Sequence, residues 1–208
     1  MLARPMDAAA WLALWAVVAT ALWAMLPAYL GNMMPVFMGG GAPIDAGRLW
    51  RDGKPILGPG KTWRGLLVGP LLSAVVCGIL RWIAVDTGWR GYEDWSAWGP
   101  APWWFVIVYM MGLGALVGDA VKSFFKRRTG RERGAPWPIF DQLDFVVGGL
   151  VFAALAGFGL AALGLTDHNV FLSDFTWPRL LVIVVLTPGL HLLVNVIGYW
   201  LKLKDVPW

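Results

Sequence analysis

Five stretches without a charged side chain divide this chain: Ala8–Leu26, Gly65–Leu80, Trp95–Gly118, Phe145–Thr166 and Leu180–Leu201. Four of them pass the roughly 18 apolar residues a spanning helix needs, and the second does so only if Arg81 snorkels at its end. In hydrocarbon every backbone polar group must be satisfied internally, so only helices or a closed barrel cross a bilayer. The runs are too long and too uniformly apolar for barrel strands, which alternate. The pattern predicts an all-α integral membrane protein, a bundle of about five transmembrane helices, forming a single domain over residues 1–208. Neither an internal repeat nor a second soluble domain is visible. The first run reads as a retained helix. It exceeds the apolar core of a signal peptide, and Pro27 and Tyr29 follow it where a small-residue cleavage site would stand.

Composition agrees. Hydrophobic residues make up 58% of the 208 and charged residues 14%, against about 25% charged in a soluble domain, and the mean hydropathy is +0.62. The single cysteine, Cys77, lies inside the second run and leaves no disulfide framework or zinc cluster. Thirteen of the seventeen basic residues fall in the connections after the first and third runs and in the C-terminal tail. Only Arg4, Arg81, Arg90 and Arg179 lie in the other segments. With five helices, the positive-inside rule then places the N-terminus outside and the C-terminus and the charged connections in the cytoplasm. Trp89, Trp95, Trp98, Trp103 and Trp104 cluster where the outer boundary should fall, as an aromatic belt does. Glycine pairs at Gly112 and Gly114, Gly148 and Gly149, and Gly157 and Gly159 favour close helix packing.

The chemistry concentrates after the third run. Six of the seventeen basic residues fall between Lys122 and Arg133, interleaved with carboxylates. Asp119, Lys122, Ser123 and Lys126 share one helical face. They make either an intrahelical ion pair or a site, and an ionisable group at membrane depth favours the site. Arg127 and Arg128 follow. Asp141 and Asp144 precede the fourth run, three residues apart. One carboxylate there would serve the helix N-terminus; two pointing the same way suit a hard divalent cation, and Mg²⁺ is commonly held by one or two carboxylates plus substrate phosphates. Asp119 is a third candidate ligand. A Gly/Pro-rich loop, Gly58-Pro-Gly-Lys61-Thr62-Trp-Arg64-Gly65, opens the second helix. It fails the Walker A pattern, since Pro55 stands at the first glycine, yet backbone N–H groups at a helix start favour an anion. His168 falls in an outer connection, and His191 with Asn195 reads as an interhelical hydrogen-bonding pair inside the membrane. No histidine is then expected at the charged site, and Glu132 is the one glutamate on that side.

At these residues the chain is similar to known enzymes. Lys61-Thr62-Trp-Arg64-Gly resembles the Lys-Thr-x-Glu-Gly element of CDP-diacylglycerol synthases, with Arg64 in place of Glu. The segment from Asp119 through Lys126-Arg127, Pro136-Trp-Pro and Asp141-Gln-Leu-Asp144 resembles their Lys-rich and Asp-x-x-Asp signature without their His-Gly-Gly. From Asn32 through Pro43-Ile-Asp45 to Asp144, the closer resemblance is to the archaeal CDP-archaeol synthases. That resemblance implies a Mg²⁺-dependent cytidylyltransferase joining CTP to an isoprenoid-ether glycerol phosphate within the lipid bilayer and releasing pyrophosphate. Asp119, Lys122, Asp141 and Asp144 are then expected to be catalytic, with Asp141, Asp144 and Asp119 on the metal. Lys61, Thr62, Arg64, Lys122, Lys126, Arg127 and Arg128 would hold the phosphates. Neither a nucleic-acid nor a protein partner is implied. A membrane transporter of anionic lipid or nucleotide is the alternative; it would want a polar path through the midplane, where the runs offer little. A scaffold bound to anionic lipid would leave the three aspartates unexplained.

Overall fold

The computed structural model describes residues 7–38, 40–86, 98–131 and 135–203. Trp89 and Trp95 of the expected aromatic belt, and Arg4, Arg90, Glu132, Arg133 and Lys204 of the charge partition, lie outside the described residues. The elements are α1 (Ala8–Met38), α2 (Trp63–Arg81) with a π-helical turn after it (Trp82–Asp86), α3 (Trp104–Arg128), α4 (Phe140–Ala162), the short α5 (Val170–Asp174) and α6 (Trp177–Trp200). Five of them, α1, α2 with its π turn, α3, α4 and α6, are long and apolar enough to cross a membrane, as the hydropathy pattern predicts.

The helices overrun the apolar stretches that announce them. α1 continues through Pro27 and Pro35, as a helix in a bilayer can where neighbours re-satisfy the backbone groups that proline frees, and Ser73 Oγ ties α2 to α1 by donating to the Pro27 carbonyl at 2.8 Å. α2 starts at Trp63 because the Thr62 hydroxyl caps it, accepting from the Gly65 N–H at 3.1 Å. Arg81 does not snorkel. It is buried, donates to the Gly99 carbonyl at 3.2 Å and lies over the Trp104 ring. Trp98 is likewise fully buried, stacked 5.0 Å from Trp23, and so is a core residue instead of an interface anchor. α4 begins at Phe140, which draws Asp141 and Asp144 into its first turns.

Lipid tails are as apolar as leucine, so helices associate in a membrane through close packing at small residues. Glycine supplies it here. A methyl added at Gly118 or Gly114 of α3 would collide with the Asp144 or Gly148 carbonyl of α4. One at Gly31 of α1 would stand 2.5 Å from Gly112 Cα of α3. Of all helix pairs, α3 and α4 are the most extensively packed. Met25, Ile107, Met111, Phe145, Val146 and Ile183 fill the core between α1, α3, α4 and α6.

Candidate active site between the third and fourth helices

Close packing of α3 on α4 sets the charged residues face to face. Lys122 Nζ stands 3.2 Å from Asp119 Oδ1, 2.8 Å from Asp141 Oδ1 and 3.1 Å from Asp144 Oδ2. Lys126 Nζ donates to both Asp141 oxygens at 2.9 Å, and the Trp137 N–H donates to Asp141 Oδ2 at 2.6 Å. Lys61 donates to Asp119 Oδ2 from the loop before α2. Three carboxylates and three ammonium groups from three separate segments thus neutralise one another. The intrahelical Asp119–Lys122 pair exists, but only as one edge of this network. Asp119 lies nine residues before the end of α3, about 14 Å along the axis. Charges at that depth persist only when paired or solvated.

Asp45 shapes the loop that delivers Lys61. Its carboxylate accepts from the N–H groups of Gly47 (3.0 Å), Leu57 (2.9 Å) and Gly58 (2.8 Å). Burial opposes its ionisation, but the Gly58, Leu57 and Gly47 donors outweigh that and hold the carboxyl below the ordinary aspartate range. Gly58, at φ +98°, turns the chain in a conformation that favours glycine. A backbone bridge from Pro43 to Thr62 closes the base of the loop.

The seven expected phosphate-holding residues separate into two groups. Lys61, Thr62, Lys122 and Lys126 line a cavity of about 450 Å³, together with Asp119, Asp141 and Asp144. Arg64, Arg127 and Arg128 do not line it. Arg64 is exposed on the first turn of α2. Arg127 flanks Gly58 and donates to the Arg131 carbonyl at 2.9 Å. Arg128 pairs with Asp52 at 2.8 Å, donates to the Pro55 carbonyl and covers the Phe124 ring, fastening the loop onto α3.

His191 and Asn195 line the same cavity, contrary to the expectation of no histidine there. His191 stacks on Phe145, next in sequence to Asp144, and bonds Asn195 within α6 at 3.2 Å. It lies nine residues before the end of α6, the interval that separates Asp119 from the end of α3. That shared depth was the available signal. Asn32 of α1 also faces the cavity, whose other walls are apolar (Pro35, Val36, Ile44, Leu66, Leu116).

The donor set suits a hard cation such as Mg²⁺, because Asp119, Asp141 and Asp144 offer only carboxylate oxygens and converge on one point. Asp144 Oδ2 is buried, with the Lys122 ammonium 3.1 Å away. The Lys122 ammonium occupies the convergence point, and among the described residues no three side chains stand as a metal-ligand cluster. Substrate phosphates would complete such a coordination shell.

Comparison with known proteins bears on the same residues. A family model for CarS-like CDP-archaeol synthases matches residues 14–208. The CDP-archaeol synthases of Methanosphaerula palustris and Methanospirillum hungatei are each 46% identical, and that of Methanosarcina mazei 43%. All three alignments cover 79% of this chain and 89% of the relative. A solved structure described as an intramembrane enzyme for archaeal membrane lipids biosynthesis superposes with a TM-score of 0.63 at 32% identity, covering 86% of this chain and 94% of the other. Both the family match over residues 14–208, which includes the whole charged cavity, and the extent of the other matches lead to one conclusion: the chain belongs to the CDP-archaeol synthase family.

Proposed function

We propose that this membrane protein transfers the CMP unit of CTP to the phosphate of an isoprenoid-ether glycerol lipid, giving CDP-archaeol and pyrophosphate. The observation that carries the site assignment is the convergence of Lys61, Lys122 and Lys126 with three aspartates in one cavity between apolar helices. A lipid phosphate oxygen attacks the α-phosphorus of CTP. The bond to the β-phosphate breaks, and its electron pair leaves with pyrophosphate. The nucleophile needs no general base, since a phosphate monoester with its second pKa near 6 is already anionic. The obstacle is repulsion between two anions, so catalysis reduces to positioning and charge neutralisation.

In this reading Lys61, Lys122 and Lys126 exchange their carboxylate partners for phosphate oxygens as the substrates enter. Thr62 and the adjoining backbone at the start of α2 orient the triphosphate. Asp141, Asp144 and Asp119 would hold Mg²⁺, which when bound polarises and neutralises phosphate oxygens. The apolar walls let the lipid present its phosphate without leaving the bilayer. In this reading the cavity faces the cytoplasm and the N-terminus lies outside, which the excess of basic residues in the loops supports.

Purified protein incubated with α-labelled CTP and the lipid phosphate should move label into the lipid phase and release pyrophosphate, with Mg²⁺ required. Label that crosses proteoliposome membranes unchanged, with no lipid product, would support transport and overturn this reading.

A further inference from the structure

Outside the reaction cavity, Lys54, Arg127 and Arg131 border a separate groove of about 330 Å³ together with Pro55, Gly58 and Gly130. These cations differ from their neighbours in one respect. Lys61, Lys122, Lys126 and Arg128 are all paired with aspartates. Among the described residues no carboxylate pairs with Lys54, Arg127 or Arg131, and the Arg127 and Arg131 guanidiniums meet only backbone carbonyls and the Trp137 ring. Three cations without carboxylate partners around one depression favour an anion at its rim.

The groove also neighbours the chemistry through shared residues. A narrower space of about 170 Å³ is lined by Gly58-Pro59-Gly60 together with Lys61, Asp119, Lys126 and Arg127. It shares Lys61, Lys122 and Lys126 with the reaction cavity and Gly58, Pro59 and Arg127 with the groove. The Arg127 guanidinium lies against Gly58, 3.9 Å from where a Cβ would stand. Cations therefore follow one another from Lys61 and Lys126 past Arg127 to Lys54 and Arg131.

We propose that this groove is a polyphosphate-binding site that receives the diphosphate leaving the reaction cavity, so that anionic product departs past Gly58 and Arg127 while the lipid product stays on the apolar side. The inference rests on the nucleotidyl-transfer reading above. Two sources share its ligand chemistry, the released pyrophosphate and the phosphates of incoming CTP, and the test separates them.

Equilibrium binding of pyrophosphate and of CTP to the full chain in detergent would be measured for the parent, for Lys54→Gln/Arg131→Gln and for Lys61→Ala. The groove variant should weaken pyrophosphate binding about tenfold or more while CTP affinity stays within about twofold, and Lys54→Arg/Arg131→Lys should restore it. Lys61→Ala should weaken CTP instead. Unchanged pyrophosphate binding in the groove variant would overturn the proposal, as would an equal loss of CTP affinity, which would make the groove a site of nucleotide entry. Loss that the charge-preserving variant does not restore would also overturn it. Unaltered CTP affinity in Lys61→Ala would count against the reaction-cavity assignment and leave the groove result to stand separately.

Discussion

Lys122 and Asp45 show how single residues organise this protein. Lys122 neutralises three aspartates that would otherwise repel one another below the membrane surface. Asp45 lies in the loop, yet it fixes the position of Lys61 through three backbone N–H groups. Its carboxyl titrates lower when folded, so it contributes stability above the unfolded pKa, near 4, and that contribution disappears as pH falls through the folded value. Asp45→Asn should therefore destabilise the protein at neutral pH by about 1–3 kcal/mol and loosen CTP binding through Lys61. Melting curves of parent and variant should converge on acidification; a gap that stays constant or widens would remove Asp45 from this role. Nothing in the residue pattern gave Asp45 a role beyond membership of a matching segment, because its partners are backbone groups of residues 47, 57 and 58, invisible to side-chain spacing.

At the level of elements, glycine contacts between α3 and α4 set the register on which the site depends. Gly118→Ala would press a methyl into the Asp144 carbonyl, separating the helices and lowering both melting temperature and turnover. Gly159→Ala faces open space and should be neutral or stabilising by up to about 1 kcal/mol. Comparing the two variants by thermal melting checks this directly, and similar behaviour of both would contradict it. This level also marks the limit of sequence reading. The α3 stripe of Asp119, Lys122 and Lys126 follows from helical periodicity alone. Its meeting with Asp141 and Asp144 does not, because it requires the Gly114, Gly118 and Gly148 register. Arg127 and Arg128 are adjacent and chemically alike, yet Asp52 claims one and leaves the other at the groove. His191 reached the cavity because α6 runs as deep as α3, a relation that hydropathy runs with blurred ends do not specify.

For the whole molecule, the five spanning helices were legible because a bilayer admits so few alternatives, and the family relationship accords with them. The charge partition supports the proposed orientation, with the N-terminus outside. A single accessible cysteine at Arg131→Cys, in a background with Cys77 replaced, should react with an impermeant reagent in inside-out vesicles and not in right-side-out ones; labelling from outside would invert the topology. In the proposed reaction, CMP transfer occurs at the acidic–basic cluster between α3 and α4. Turnover of α-labelled CTP into lipid, measured beside the melting temperature for Asp141→Asn and Asp144→Asn, tests it most directly. Each substitution keeps the side-chain shape and removes a carboxylate charge that would hold the phosphate-neutralising cation, so turnover should fall about a hundredfold or more while the protein remains folded. Near-normal turnover in both variants would contradict the account.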